Sequence, residues 1–172
     1  MPMHNGYALL RREQLVWAAE LLLGIGGPAR DELAGRLRVG VQADTEVTWR
    51  RAGHTVTQVF CSALPLAYAG GAPAHWEPLA RLVLDAAYEA TLAAAAVTAA
   101  RTGNRAVYLT LLGAGAFGNP TGWVIDALER AVRLHPAGLD VRVVSYGHPS
   151  AAVAAVTDPA VHWDAPPSPG PA

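Results

Sequence analysis

The sequence predicts a single α/β domain, because helical and strand patterns alternate along it and its composition suits a folded core. The chain has 172 residues, of which 52% are hydrophobic and 16% are charged. That length accommodates one globular domain with its own core, but not a second full domain. The clearest unit is a strand, a helix and a strand over residues 107–144, in which a glycine-rich segment joins the first strand to the helix.

Hydrophobic periodicity and breaker residues assign the elements in order. A helix is expected over residues 9–23, because apolar side chains recur there at helical spacing and Gly24 begins a run of breakers. β-branched and aromatic residues predict strands at 37–41, 46–49 and 55–64, the last two as a possible hairpin. The remaining predictions are a helix at 76–101, a strand at 107–112, a helix at 120–134, a strand at 141–144 and a possible short helix at 151–156.

Two apolar stretches indicate how the chain is buried. Residues 107–112 are almost continuously apolar, which is typical of a strand covered on both faces. Residues 86–100 are interrupted by Tyr88, Glu89 and Thr91, so they predict a buried helix rather than a membrane span. The 13 basic and 14 acidic residues are scattered, and no basic face is therefore expected to attract nucleic acid or a membrane surface.

The cellular compartment is indicated by two features of the sequence, the single cysteine and the N-terminal residues. The N-terminal sequence lacks a basic segment followed by an apolar run, which is the pattern of a secretion signal. Cys61 has no second cysteine to pair with and suits a reducing compartment, so a cytoplasmic protein is expected. Cys61 also has no basic neighbour in sequence, and an inert, buried thiol is expected there. The histidines show no metal-ligand spacing, and neither a metal nor a cofactor is expected.

The glycine-rich segment GAGAFGNPTG, residues 113–122, follows a predicted strand and begins a helix. Glycines permit positive φ angles and close approach of a ligand to the backbone, and the free N–H groups of a helix start favour an anion. Asn119 is a natural N-cap, and Pro120 suits the first helical turn. A diphosphate site is predicted, and the alternative is a glycine-rich turn that only packs the helix against the strand.

A nicotinamide dinucleotide is the other ligand that such glycines suggest. Its fingerprint expects an acid at the far end of the following strand, where it holds the ribose. Here Asp140 stands at the beginning of that strand, and the far end reads Ser145, Tyr146 and Gly147. A nicotinamide dinucleotide site is therefore not expected.

Polar residues also follow the other predicted strands. Asp44 and Glu46 come after the first, Ser62 after the hairpin, and Tyr146 after the last. The ligand crevice of an open α/β sheet lies outside the carboxyl ends of its strands, so these segments could line one cleft with the glycines. For Asp44 and Glu46, a solvated turn explains the sequence equally well.

Three stretches, LARLVLDAAYEATL, AVYLTLLGAGAFGNPTGWVIDALERAV and DVRVVSYG, resemble the second half of macrodomain-like ADP-ribose glycohydrolases of the poly(ADP-ribose) glycohydrolase type. The upstream stretches LRVGVQADTEVT and HTVTQVFCSALPLAY look like the two segments before it. The resemblance covers residues 37–146 and implies a three-layer α/β sandwich with a mixed sheet. It implies that the ligand is bound by the loop from Gly113 to Asn119. In that loop Gly113, Gly115, Ala116 and Gly118 surround the diphosphate, Phe117 lies against the distal ribose, and Ala114 is a further ligand-binding residue. Tyr146 borders the adenine.

Family members also carry an earlier acidic loop that hydrolyses the glycosidic bond, and nothing before Asn5 supplies it. The resemblance therefore implies the C-terminal half of such a fold, residues 1–158, followed by a disordered proline-rich tail at 159–172. Its expected ligand is ADP-ribose or an ADP-ribosylated substrate, and its catalytic residues are unassigned. Two alternatives stay open: a non-catalytic ADP-ribose reader, and a fragment without ligand that a partner chain stabilises. The second would expose an apolar patch along an uncovered sheet edge.

Overall fold

The computed structural model describes residues 3–4, 6–49, 52–69, 72–135, 138–144 and 161–164. Helices and strands alternate in these residues, so the α/β class is confirmed. The strands are β1 (Met3–His4), β2 (Tyr7–Ala8), β3 (Gly40–Glu46), β4 (Thr55–Phe60), β5 (Ala106–Thr110), β6 (Asp140–Val144) and β7 (Val161–Asp164). The helices are α1 (Arg12–Gly24), α2 (Gly27–Ala34), α3 (Leu66–Ala69), α4 (Pro73–Thr102) and α5 (Thr121–Leu134).

The described strands form three small sheets instead of one continuous mixed sheet. Strands β1 and β2 pair antiparallel, β3 and β4 form an antiparallel hairpin, and β5, β6 and β7 form a parallel sheet with β6 in the middle. The hairpin has a register shift between Gln42 and Thr45, where Asp44 adopts a positive φ of 54°. Strand β3 thus begins in the strand predicted at 37–41 and ends at Glu46, whereas residues 47–49, predicted as a second strand, are not part of it.

Helix α4 is the central packing element. Leu84, Tyr88 and Leu92, one turn apart, pack in a cluster with side chains of β5, β6 and α5. Leu82 and Ala86 pack instead with residues of α1 and α2. By length and composition alone α4 could cross a membrane. Because it is packed between other elements on two sides, the arrangement fits a core helix of a water-soluble domain, as the interrupted apolar stretch predicts.

The parallel sheet is covered on one face only within the described part of the chain. Val107 and Leu109 of β5 are buried with the side chains of α4 and α5. Tyr108, between them, points the other way and is 61% exposed. Alternate residues of a strand face opposite sides of the sheet, so the expected burial of β5 on both faces is wrong here.

Other element boundaries depart from the sequence prediction at two places. The run of glycines and proline after Gly24 leads directly into helix α2, which has Pro28 in its first turn. The sequence predicted only the end of the preceding helix there. At the other end of the chain, β7 (Val161–Asp164) pairs in parallel with β6. These residues belong to the segment expected to be a disordered tail, and they form a strand. Residues 151–156 and 165–172 lie outside the described ranges.

Arginine ion pairs join the helices that support β5. Arg30 of α2 donates to Asp85 of α4 over 2.6 Å, and both side chains are largely buried. Arg130 of α5 donates to Glu89 of α4 over 2.8 Å and to Asp31 of α2 over 2.7 Å. A single guanidinium therefore bridges three helices, which fixes the layer beneath the parallel sheet.

Candidate functional site

The segment between β5 and α5 is a compact loop, here called the glycine loop (residues 113–119). Gly113 and Gly118 have positive φ angles of 79° and 71°. The N–H of Asn119 donates to the carbonyl of Gly113 over 2.9 Å, and the N–H of Gly118 donates to the carbonyl of Gly115 over 3.0 Å. The predicted strand, loop and helix are therefore present, and the loop closes on itself.

Packing explains two of the three glycines. A Cβ on Gly113 would overlap the side chains of Ala63 and Asn119, and a Cβ on Gly118 would lie 3.2 Å from that of Ala67. Gly115 differs, because its φ is not positive and nothing lies within 4 Å of the place where its Cβ would be. The fold therefore does not require a glycine at Gly115. Close approach of a ligand to the backbone would require one.

The loop and the start of α5 leave a group of backbone N–H groups without partners. In the described ranges, six of them donate no hydrogen bond: those of Gly113, Gly115, Ala116, Phe117, Thr121 and Gly122. Gly115 and Ala116 are also exposed to solvent. Free N–H groups at a helix N-terminus carry partial positive charge, and they suit the oxygens of a phosphate or diphosphate.

Tyr88 of α4 holds the end of β5 from which the glycine loop departs. Its hydroxyl donates to the carbonyl of Thr110 over 2.7 Å and accepts the N–H of Leu112 over 2.9 Å. Burial raises the pKa of this hydroxyl well above its usual value, and the bond from Leu112 only partly opposes that effect. Tyr88 lies in the stretch LARLVLDAAYEATL that carries the family resemblance, and its role here is to position the loop.

Asn119 ties the glycine loop to the segment after β4. Its side chain is buried, and Nδ2 donates to the carbonyl of Leu64 over 2.9 Å and to that of Gly113 over 3.3 Å. The predicted N-cap role is wrong, because Pro120 precedes the helix and no side chain caps it. Oδ1 of Asn119 is buried and accepts no hydrogen bond from the residues that the structure describes. Asn119 therefore shapes the loop.

Three aromatic rings meet at the glycine loop. The ring of Phe117 lies edge-on to Tyr7 at 5.7 Å and to Tyr68 at 5.9 Å, and the two tyrosines are 5.4 Å apart. Phe117 is half-buried, whereas Tyr68 is 51% exposed. Sequence reasoning missed Tyr7 and Tyr68, because they are distant in sequence and belong to no motif. The cluster offers a partly exposed aromatic surface beside the free N–H groups.

Ser62 lies close to the glycine loop, as the strand-end argument predicts. The residue after it, Ala63, contacts Gly113, and Leu64 accepts the bond from Asn119. Ser62 itself is exposed, and its hydroxyl donates to the carbonyl of Ala63 over 2.9 Å. Tyr146, the other polar residue expected here, lies outside the described ranges.

Asp44 and Glu46 lie at the opposite end of the domain. Glu46 pairs with Thr55, the first residue of β4, whereas the segment beside the glycine loop follows the last residue of β4. Carboxyl ends meet at one edge only in parallel strands, and β3 is antiparallel to β4. Asp44 instead accepts two bonds of 3.0 Å from Arg101, whose guanidinium lowers the pKa of the carboxylate. The expected single cleft does not include this segment.

The remaining candidate sites are the thiol of Cys61 and a metal centre. Cys61 is half-buried, less deeply than expected, and its Sγ lies 3.8 Å from the hydroxyl of Thr91. In the part of the chain that the structure describes, no three His, Cys, Asp or Glu side chains lie close enough together to hold a metal ion.

Comparison with known proteins identifies no relative of this chain. No family model, curated protein or solved structure matches the chain. The resemblance to macrodomain-like glycohydrolases therefore rests on the residues quoted from the sequence.

Proposed function

We propose that the glycine loop binds ADP-ribose, or the ADP-ribosyl group of a modified substrate. The observation that carries this is the set of six free backbone N–H groups between the end of β5 and the first turn of α5. A diphosphate supplies the negative charge and the acceptor oxygens that such groups need. Recognition is local, since the net charge of the chain is only -1.

The aromatic cluster supports a nucleotide over inorganic phosphate. Tyr7, Tyr68 and Phe117 lie beside the loop, and aromatic rings pack well against ribose and nucleobase surfaces. Gly115 supports the same ligand, because its missing side chain leaves the loop backbone accessible. This proposal includes a macrodomain-like architecture and a cytoplasmic location. It is supported by the order of the described elements, which is helix, strand, loop, helix and strand, as the family resemblance implies.

A reader that binds ADP-ribose without hydrolysing it is favoured over a hydrolase by the position of the acids. Glycoside hydrolysis uses carboxylates placed on either side of the anomeric carbon. Asp44 is instead held by Arg101, and it lies with Glu46 at the end of the domain away from the glycine loop. We therefore propose binding as the function of this chain.

Calorimetric titration with ADP-ribose and with NAD tests this function. ADP-ribose should bind more tightly, and Gly115→Val should weaken it at least about tenfold, since a branched side chain would cover the open backbone. Gly24→Val is the matched control, because Gly24 also lacks neighbours within 4 Å and lies far from the loop at the end of α1. Tighter binding of NAD, or equal binding by the Gly115 variant and the unmodified chain, would overturn the proposal.

A further inference from the structure

We draw no further inference here: the strongest candidate, the surface patch of exposed apolar side chains on helix α1 (Val16, Trp17, Leu21 and Leu23), carries none, because nothing in the described part of the chain shows what covers it.

Discussion

At the residue scale, the three glycines of the glycine loop do not share one structural role. Gly113 and Gly118 are needed by the turn and by the packing against Ala63 and Ala67, as a glycine-rich turn without ligand would also require. Gly115 has neither reason. The sequence predicts the position of the loop, but only the packed neighbours show which glycines the fold requires.

Phe117→Ala tests whether the ring contacts the distal ribose. If it does, binding of ADP-ribose should weaken at least about tenfold while binding of ADP changes less, since ADP lacks that ribose. A control for folding stability is needed, because Phe117 also packs against Tyr7 and Tyr68. Phe117→Leu keeps apolar volume and should restore folding stability without restoring the preference. Equal losses for both ligands in calorimetry would assign Phe117 to packing alone.

Tyr88→Phe removes the hydroxyl that holds both Thr110 and Leu112. The carbonyl of Thr110 and the N–H of Leu112 also bond each other over 2.9 Å and are not left unpaired, so loss of the hydroxyl should lower the free energy of unfolding by about 0.5–1.5 kcal/mol. Chemical denaturation measures this, and hydrogen exchange should quicken at the N–H of Leu112. An unchanged midpoint would mean that the two bonds contribute nothing net.

The same hydroxyl predicts a pH dependence of stability. Burial raises its pKa in the folded state above the unfolded value of about 10, so the unfolded chain loses this proton first as pH rises. Stability from Tyr88 is complete below about pH 10 and declines above it, toward the folded pKa. The unmodified chain should therefore lose more stability between neutral and strongly alkaline pH than Tyr88→Phe does.

At the element scale, periodicity predicted the long helices well and the strands less well. Helices α1, α4 and α5 lie close to their predicted ranges, because an apolar stripe over many residues is a strong signal. Strand β3 was divided in two, because the bulge at Asp44 interrupts the pattern of alternation. Its antiparallel direction, which no local pattern encodes, also removed Asp44 and Glu46 from the expected cleft.

Arg30→Ala tests the contact between α2 and α4. The change leaves Asp85, which is largely buried, without its guanidinium partner and should lower the free energy of unfolding by about 1–3 kcal/mol. Arg36→Ala removes the fully exposed pair with Glu32 in the same part of the chain and should cost about 0–1 kcal/mol. Urea unfolding of both variants gives the comparison. Equal effects would mean that burial of the Arg30 pair has no energetic consequence.

At the scale of the whole molecule, the described residues form a helical layer beneath a parallel sheet whose other face is exposed. Tyr108 on that face is largely exposed, and a groove lined by β4, β5 and α4 separates the hairpin from the parallel sheet. The continuous apolar character of residues 107–112 indicated a covered strand, but the sequence does not say what covers it. An exposed apolar patch along an uncovered sheet edge is the expected sign of a stabilising partner chain.

The whole chain should bind ADP-ribosyl groups without releasing them. Hydrolysis needs a carboxylate near the anomeric carbon, and Asp44 and Glu46, the acids that could replace the family's catalytic pair, lie at the far end of the domain from the glycine loop. Incubation with an ADP-ribosylated peptide should give retention of the modified peptide and no free ADP-ribose by mass spectrometry. Asp44→Ala and Glu46→Ala should leave binding unchanged. Turnover that disappears in either variant would mean that a carboxylate from β3 reaches the ligand, and that the catalytic centre lies at the other end of β5.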